Sequence, residues 1–226
     1  MATDSSYLSA STLSREAPLI QTRSLADAAE IGLVFSLIML AVWTLQGRFN
    51  LAVSLAAALL IIVLSLRSSF TNRELGLSRP LSGMVVILAL GAVCLIAIAS
   101  LGAFSRVFGE PHPVPWNRAW QYAVWALVQE FMLQSFFYVR LEKIFGGQRA
   151  VWAAATLFAI AHIPSPLLTA LSFLGALFFC EMFRRYRNIF PLGLVHAALG
   201  LTIAASLPDS ILHHMRVGIG FLVYHS

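Results

Sequence analysis

The sequence predicts an all-α, multi-spanning transmembrane helix bundle of seven to eight spans. Three observations lead there. Mean hydropathy over the 226 residues is +0.81, with 59% hydrophobic residues and only 11% charged. A soluble domain carries about 25% charged residues, so a chain with less than half that share belongs in a bilayer. The apolar residues come in long unbroken runs, not in the alternation of an outer-membrane barrel strand. The basic residues gather at the ends of those runs, as membrane topology requires.

The elements follow in order. Residues 1–25 are rich in Ser and Thr and have no apolar centre, so they are not a signal peptide; a disordered cytoplasmic tail is expected. Residues 28–45, 51–66 and 84–104 are the first three spans. Pro111, Pro113 and Pro115 then break the chain, since a helix interior does not accept them. The fourth span is 119–145, ended by Gly146 and Gly147. The fifth, 150–163, stops at Pro164 and Pro166. Crossing the hydrocarbon takes about 20 helical residues, so this segment is expected to be thinly matched or packed inside the bundle. The sixth and seventh spans are 167–183 and 189–207, and 211–224 is either an eighth span or a surface helix. The organisation is thus a tail (1–25), N-terminal transmembrane helices (26–115) and a core (116–226) that carries the candidate site.

Charge sets the expected orientation. With eight spans, Arg15, Arg23, Arg67, Arg73, Arg79, Arg140, Lys143, Arg149, Arg184, Arg185 and Arg187 share one side, and Arg48, Arg106, Arg118 and Arg216 the other. That asymmetry predicts a cytoplasmic N-terminus, and an even span number returns the C-terminus to the same side. A multi-pass protein of a bacterial cytoplasmic membrane is the expected localisation. The net charge of +5 is scattered over helix ends and is no nucleic-acid surface. Cys94 and Cys180 offer neither disulfide nor metal spacing. No internal repeat supports an inverted-repeat transporter.

Ionisable residues inside spans cost roughly 2.5–3.5 kcal/mol at a helix centre, so each needs a reason. Glu181 has one in Arg185, four residues on. His112, His213, His214 and His225 lie in a loop or near the chain end, where solvent or headgroups serve them. Glu130, His162 and His196 remain, on three different spans. A single such residue is explained by an interhelical hydrogen bond. One carboxylate and two imidazoles at depths that can converge predict a shared polar site. Those groups can activate water directly, or through a zinc ion of which His162, His196 and Glu130 would supply three ligands.

The local sequence resembles the CPBP family of CAAX proteases and bacteriocin-processing intramembrane endopeptidases. That family carries EExxxR, then FxxxH, then HxxxN or HxxxD. Here "QEFMLQ" (Gln129 to Gln134), "FAIAH" (Phe158 to His162) and "HAALG" (His196 to Gly200) occur in that order, within a resemblance covering 116–206. Gln129 stands for the first Glu, Gln134 for the Arg, and Gly200 for the Asn or Asp. The resemblance implies hydrolysis of a membrane-proximal peptide bond, with the bilayer and a peptide or protein substrate as partners. Glu130 would be the base, or hold water with Gln129; His162 would orient or ligate that water; His196 would stabilise the oxyanion. Gln134, Phe158 and Gly200 would be substrate-binding or structural. Gln129 has no basic lone pair at neutral pH, and Glu130 and Gln134, four apart, can hydrogen-bond. The alternative is a catalytically inactive member acting as a membrane scaffold or lipid- or peptide-binding protein.

Overall fold

The computed structural model describes residues 5–104, 114–207 and 209–223. Every regular element among them is helical. In order they are α1 (Ser5–Val42), α2 (Arg48–Arg67), α3 (Met84–Phe104), α4 (Trp116–Glu130), a π-helical segment (Phe131–Tyr138), α5 (Val139–Phe145), α6 (Gly147–Ile160), α7 (Pro166–Tyr186), α8 (Ile189–Ser206), α9 (Asp209–Leu212) and α10 (Gly218–Val223). Five stretches are long and apolar enough to cross a membrane: Ser24–Val42, Arg48–Arg67, Met84–Leu101, Pro166–Tyr186 and Ile189–Ser206.

The expected fourth span is one rod in three pieces, α4, the π segment and α5. The fifth, α6, is only 14 residues long and packs between α5 and α7, which fits its expected place inside the bundle. The final segment, 211–224, is not one helix. His213, His214 and Met215 adopt left-handed backbone conformations (φ 49°, 54° and 56°), and the six residues of α10 are too few to cross. Residues 5–25, expected as a disordered tail, are helical and continuous with the first span. They contain no glycine and one proline, Pro18, and extending a formed helix adds one hydrogen bond per residue ordered. His112 and most of the proline-rich loop lie outside the described residues.

Small residues let the rods approach. A Cβ on Gly193 of α8 would meet Leu127 of α4 at 2.7 Å, and one on Gly91 of α3 would meet Val195 of α8 at 2.6 Å. Bare backbone there brings α3 and α4 close against α8.

Four of the basic residues grouped by the charge count, Arg140, Arg184, Arg185 and Arg187, make ion pairs at one end of the bundle. Arg140 of α5 is fully buried and donates to Glu30 of α1 (2.8 Å), to the Phe136 carbonyl (3.2 Å) and to the Leu64 carbonyl of α2 (3.3 Å). Its guanidinium lies over the Phe136 ring at 4.0 Å. Nearby, Arg187 donates to Glu142, and Glu181 accepts from both Arg184 and Arg185, the helical pairing expected for it. Buried Asn188 caps α8 by accepting from the Phe190 amide (3.1 Å) and donates to the carbonyls of Pro80 (2.7 Å) and Ser82 (2.9 Å). The "RLEKIFG" and "RNIFPLG" stretches are therefore scaffold.

Candidate functional site

Glu130 closes α4, and its side chain is wholly buried, with 0% exposure. Both carboxylate oxygens are engaged. Gln134, one turn on, donates Nε2–H to Oε2 at 3.1 Å, the pairing expected from the sequence. His196 of α8 brings Nδ1 to Oε1 at 2.8 Å. With donors on both oxygens the carboxylate is an acceptor, so His196 carries its proton on Nδ1 and leaves Nε2 bare. Gln134 Oε1 is buried and meets no partner. That fixes the amide, because the reversed orientation would set oxygen against carboxylate.

His162 follows the end of α6, in the turn before Pro164. Its Nδ1 lies 2.7 Å from the Phe158 carbonyl, one helical turn back. A carbonyl only accepts, so Nδ1–H donates here too, and Nε2 is again the free nitrogen. Phe158 joins the two imidazoles: its ring centroid is 4.6 Å from that of His162 and 6.1 Å from that of His196. Phe179 of α7 stacks on His196 at 5.1 Å and 16°. Each imidazole is thus held by one hydrogen bond and by aromatic packing.

A cavity of about 940 Å³ opens beside them. Gln129, Phe158, His162, His196, Gly200 and Tyr122 line it, among mostly apolar neighbours. Glu130 and Gln134 do not reach it. The expectation that Glu130, His162 and His196 share one cavity therefore holds for the two imidazoles, while the carboxylate stands behind His196. The side chain of His196 keeps 12% exposure against 0% for Glu130. Successive helical residues point about 100° apart, so of the neighbours Gln129 and Glu130 only the first lines the cavity.

This geometry also bears on zinc. A catalytic zinc uses three protein ligands. Both imidazoles line the cavity, while the carboxylate, held by Gln134 and His196, does not. Among the described residues no group of three His, Cys, Asp or Glu side chains could hold a metal ion. The donor set expected from Glu130, His162 and His196 is one ligand short.

One residue of the site escaped the sequence reading. Tyr122, on α4, lies against Gly200. The available signal was its position seven residues before Gln129, two turns along the same face.

The chain is thus an integral membrane helical protein with a carboxylate-held imidazole on the wall of a cavity between its helices. The profile of the family described as "Type II CAAX prenyl endopeptidase Rce1-like" matches residues 111–202. That match supports CPBP family membership over this stretch. No curated protein and no solved structure matches the chain.

Proposed function

We propose that this protein is a CPBP-type intramembrane endopeptidase that hydrolyses a membrane-proximal peptide bond, with His196 as general base and Glu130 as the residue that orients it. The observation that carries this reading is the 2.8 Å contact between His196 Nδ1 and the buried Glu130 carboxylate. A carboxylate on Nδ1 selects the tautomer whose Nε2 is basic and stabilises the imidazolium that forms, the logic of hydrolytic triads. As a water oxygen bonds to the substrate carbonyl carbon, His196 Nε2 takes one of its protons. His162 Nε2 accepts a hydrogen bond from the other and turns the water's lone pair towards the carbon. The Gln129 amide holds the water or the peptide. The C–N bond then breaks, and His196 returns the proton to the leaving amine.

This assignment moves the base from Glu130 to His196. It also makes the loss of the first family Glu tolerable, since Gln129 is asked only for hydrogen bonds. The apolar cavity lining suits a segment arriving from the bilayer. The basic asymmetry supports a cytoplasmic N-terminus in a bacterial inner membrane as part of this reading. The Ser78→Cys variant, changed in the loop with Arg73 and Arg79, should then react there only with reagent supplied from the cytoplasmic side; labelling from the opposite side reverses the topology.

Gln129 and Gly200 favour a second reading, a retired enzyme that binds lipid or peptide in the cavity. Substrates trapped by His162→Ala and identified by proteomics, then reconstituted with the parent, His196→Ala and Gln129→Glu, decide between the two. The hydrolytic reading expects parent cleavage and a loss of order 10²–10⁴-fold in His196→Ala. An inert parent beside a cleaving Gln129→Glu establishes the scaffold.

A further inference from the structure

We infer that the hydroxyl of Tyr122 donates a hydrogen bond to the substrate's carbonyl oxygen, from the place a side chain at position 200 would occupy. This rests on the hydrolytic reading above and adds a residue to it. Gly200 lies one helical turn beyond His196, on the same face of α8. A Cβ built on Gly200 would overlap the Tyr122 hydroxyl and lie 2.5 Å from Cζ. The phenol of α4 is thus inserted where α8 has no side chain, and both residues line the cavity with His162, His196 and Gln129.

The exposure and bonding of the hydroxyl set it apart from packing. Tyr122 is half-buried beside apolar residues, and among the described residues its hydroxyl makes no hydrogen bond. The hydroxyl is not among the buried atoms that lack a partner, so its O–H stays open to a group that enters the cavity. A phenol donates well, and the site otherwise lacks a donor for developing negative charge. His196 Nε2 is bare before the proton transfer, Nδ1–H of both imidazoles is committed, and the Gln129 amide is shared with the water. As the carbonyl becomes tetrahedral its oxygen gains charge, and an O–H fixed on a helix stabilises it without reorganisation.

The test uses the proteoliposome cleavage assay on the full chain, with kcat and KM measured separately and thermal unfolding followed in parallel. The variants are Tyr122→Phe, Gly200→Asn and the double variant Tyr122→Ala with Gly200→Asn. Tyr122→Phe should lower kcat about 10²–10³-fold, the loss of one oxyanion donor, with KM and unfolding midpoint near those of the parent. Gly200→Asn alone should lose folded protein or turnover, because its Cβ meets the phenol. The double variant, which removes the ring and offers an amide N–H, should recover part of kcat. If the parent cleaves, His196→Ala does not, and Tyr122→Phe turns over like the parent, the inference is overturned while the hydrolytic reading stands. A raised KM at unchanged kcat also overturns it, since the hydroxyl would then serve ground-state binding only. If the parent itself is inert, the hydrolytic reading falls and takes this inference with it.

Discussion

Two buried ionic clusters occupy this bundle, and they are built differently. Around Arg140 every contact is closed. The guanidinium is shared among Glu30, the Leu64 and Phe136 carbonyls and the Phe136 ring, and none of these residues lines the cavity. Around Glu130 the chain of hydrogen bonds is open at one end. It runs from Gln134 through the carboxylate to His196 and stops at a bare Nε2 on the cavity wall. Buried charge alone therefore marks nothing. The first cluster ties α1, α2 and α5 together; the second delivers an unspent nitrogen to a space that a substrate can enter.

Neutralising each cluster in turn should separate their roles. Glu130→Gln keeps the shape but removes the charge that sets the His196 tautomer. Cleavage should fall of order 10²–10⁴-fold while the unfolding midpoint in detergent stays close to the parent's. A variant that unfolds yet retains its specific activity would make Glu130 scaffold, like Arg140. Arg140→Ala should do the reverse, costing about 3 kcal/mol of stability by leaving Glu30 and two carbonyls without their donor. Its effect on the turnover of the fraction that remains folded should be small. Chemical denaturation in micelles, paired with active-fraction counting, measures both.

Asn188→Ala sharpens the closed side further. Losing a helix cap and two bonds to buried carbonyls should cost about 2 kcal/mol, again with cleavage per folded molecule retained. An unchanged midpoint would mean that the Pro80 and Ser82 carbonyls find other donors. The smallest effect is expected at Glu74, outside the spans. The Thr71 backbone N–H (2.7 Å) and hydroxyl (2.8 Å) both donate to its carboxylate and hold it below the usual carboxylate range. A depressed folded value means that the stabilisation is present above the ordinary carboxylate pKa and fades as pH drops through the folded value. Glu74→Gln should thus lower the melting midpoint slightly at neutral pH, and the two curves should merge in acid; a constant gap at all pH values would refute the carboxylate's part.

Composition and run length were enough to read the all-helical membrane class, and the cost of ions in lipid was enough to single out Glu130, His162 and His196. The roles were harder, because they depend on helix phase. Nothing in "VQEF" says which of Gln129 and Glu130 faces the cavity, and only packing against α8 decides it. Arg140 reads in the sequence as one more basic residue of the charge asymmetry, because its partners, Glu30 and Leu64, are 110 and 76 residues away. Tyr122 was hidden for a related reason: its meaning lies in the bare Cα of Gly200 on another helix. The Glu181–Arg185 pair was legible because it is local.

The π segment between these two clusters has a consequence for how the chain can change. An i→i+5 turn, seen where the Val139 amide meets the Gln134 carbonyl, holds about one residue more than an α-turn. It is in effect a one-residue insertion absorbed without breaking the rod. Each residue added or removed rotates everything beyond it by about 100°. The interval from Glu130 to Arg140 is therefore a ruler of fixed length. Shortening it by one would leave the cavity-lining groups in register and turn the anchoring arginine towards lipid, or keep the anchor and misalign the site. A one-residue deletion in this stretch should uncouple the two ends of the same helix, which a substitution would not.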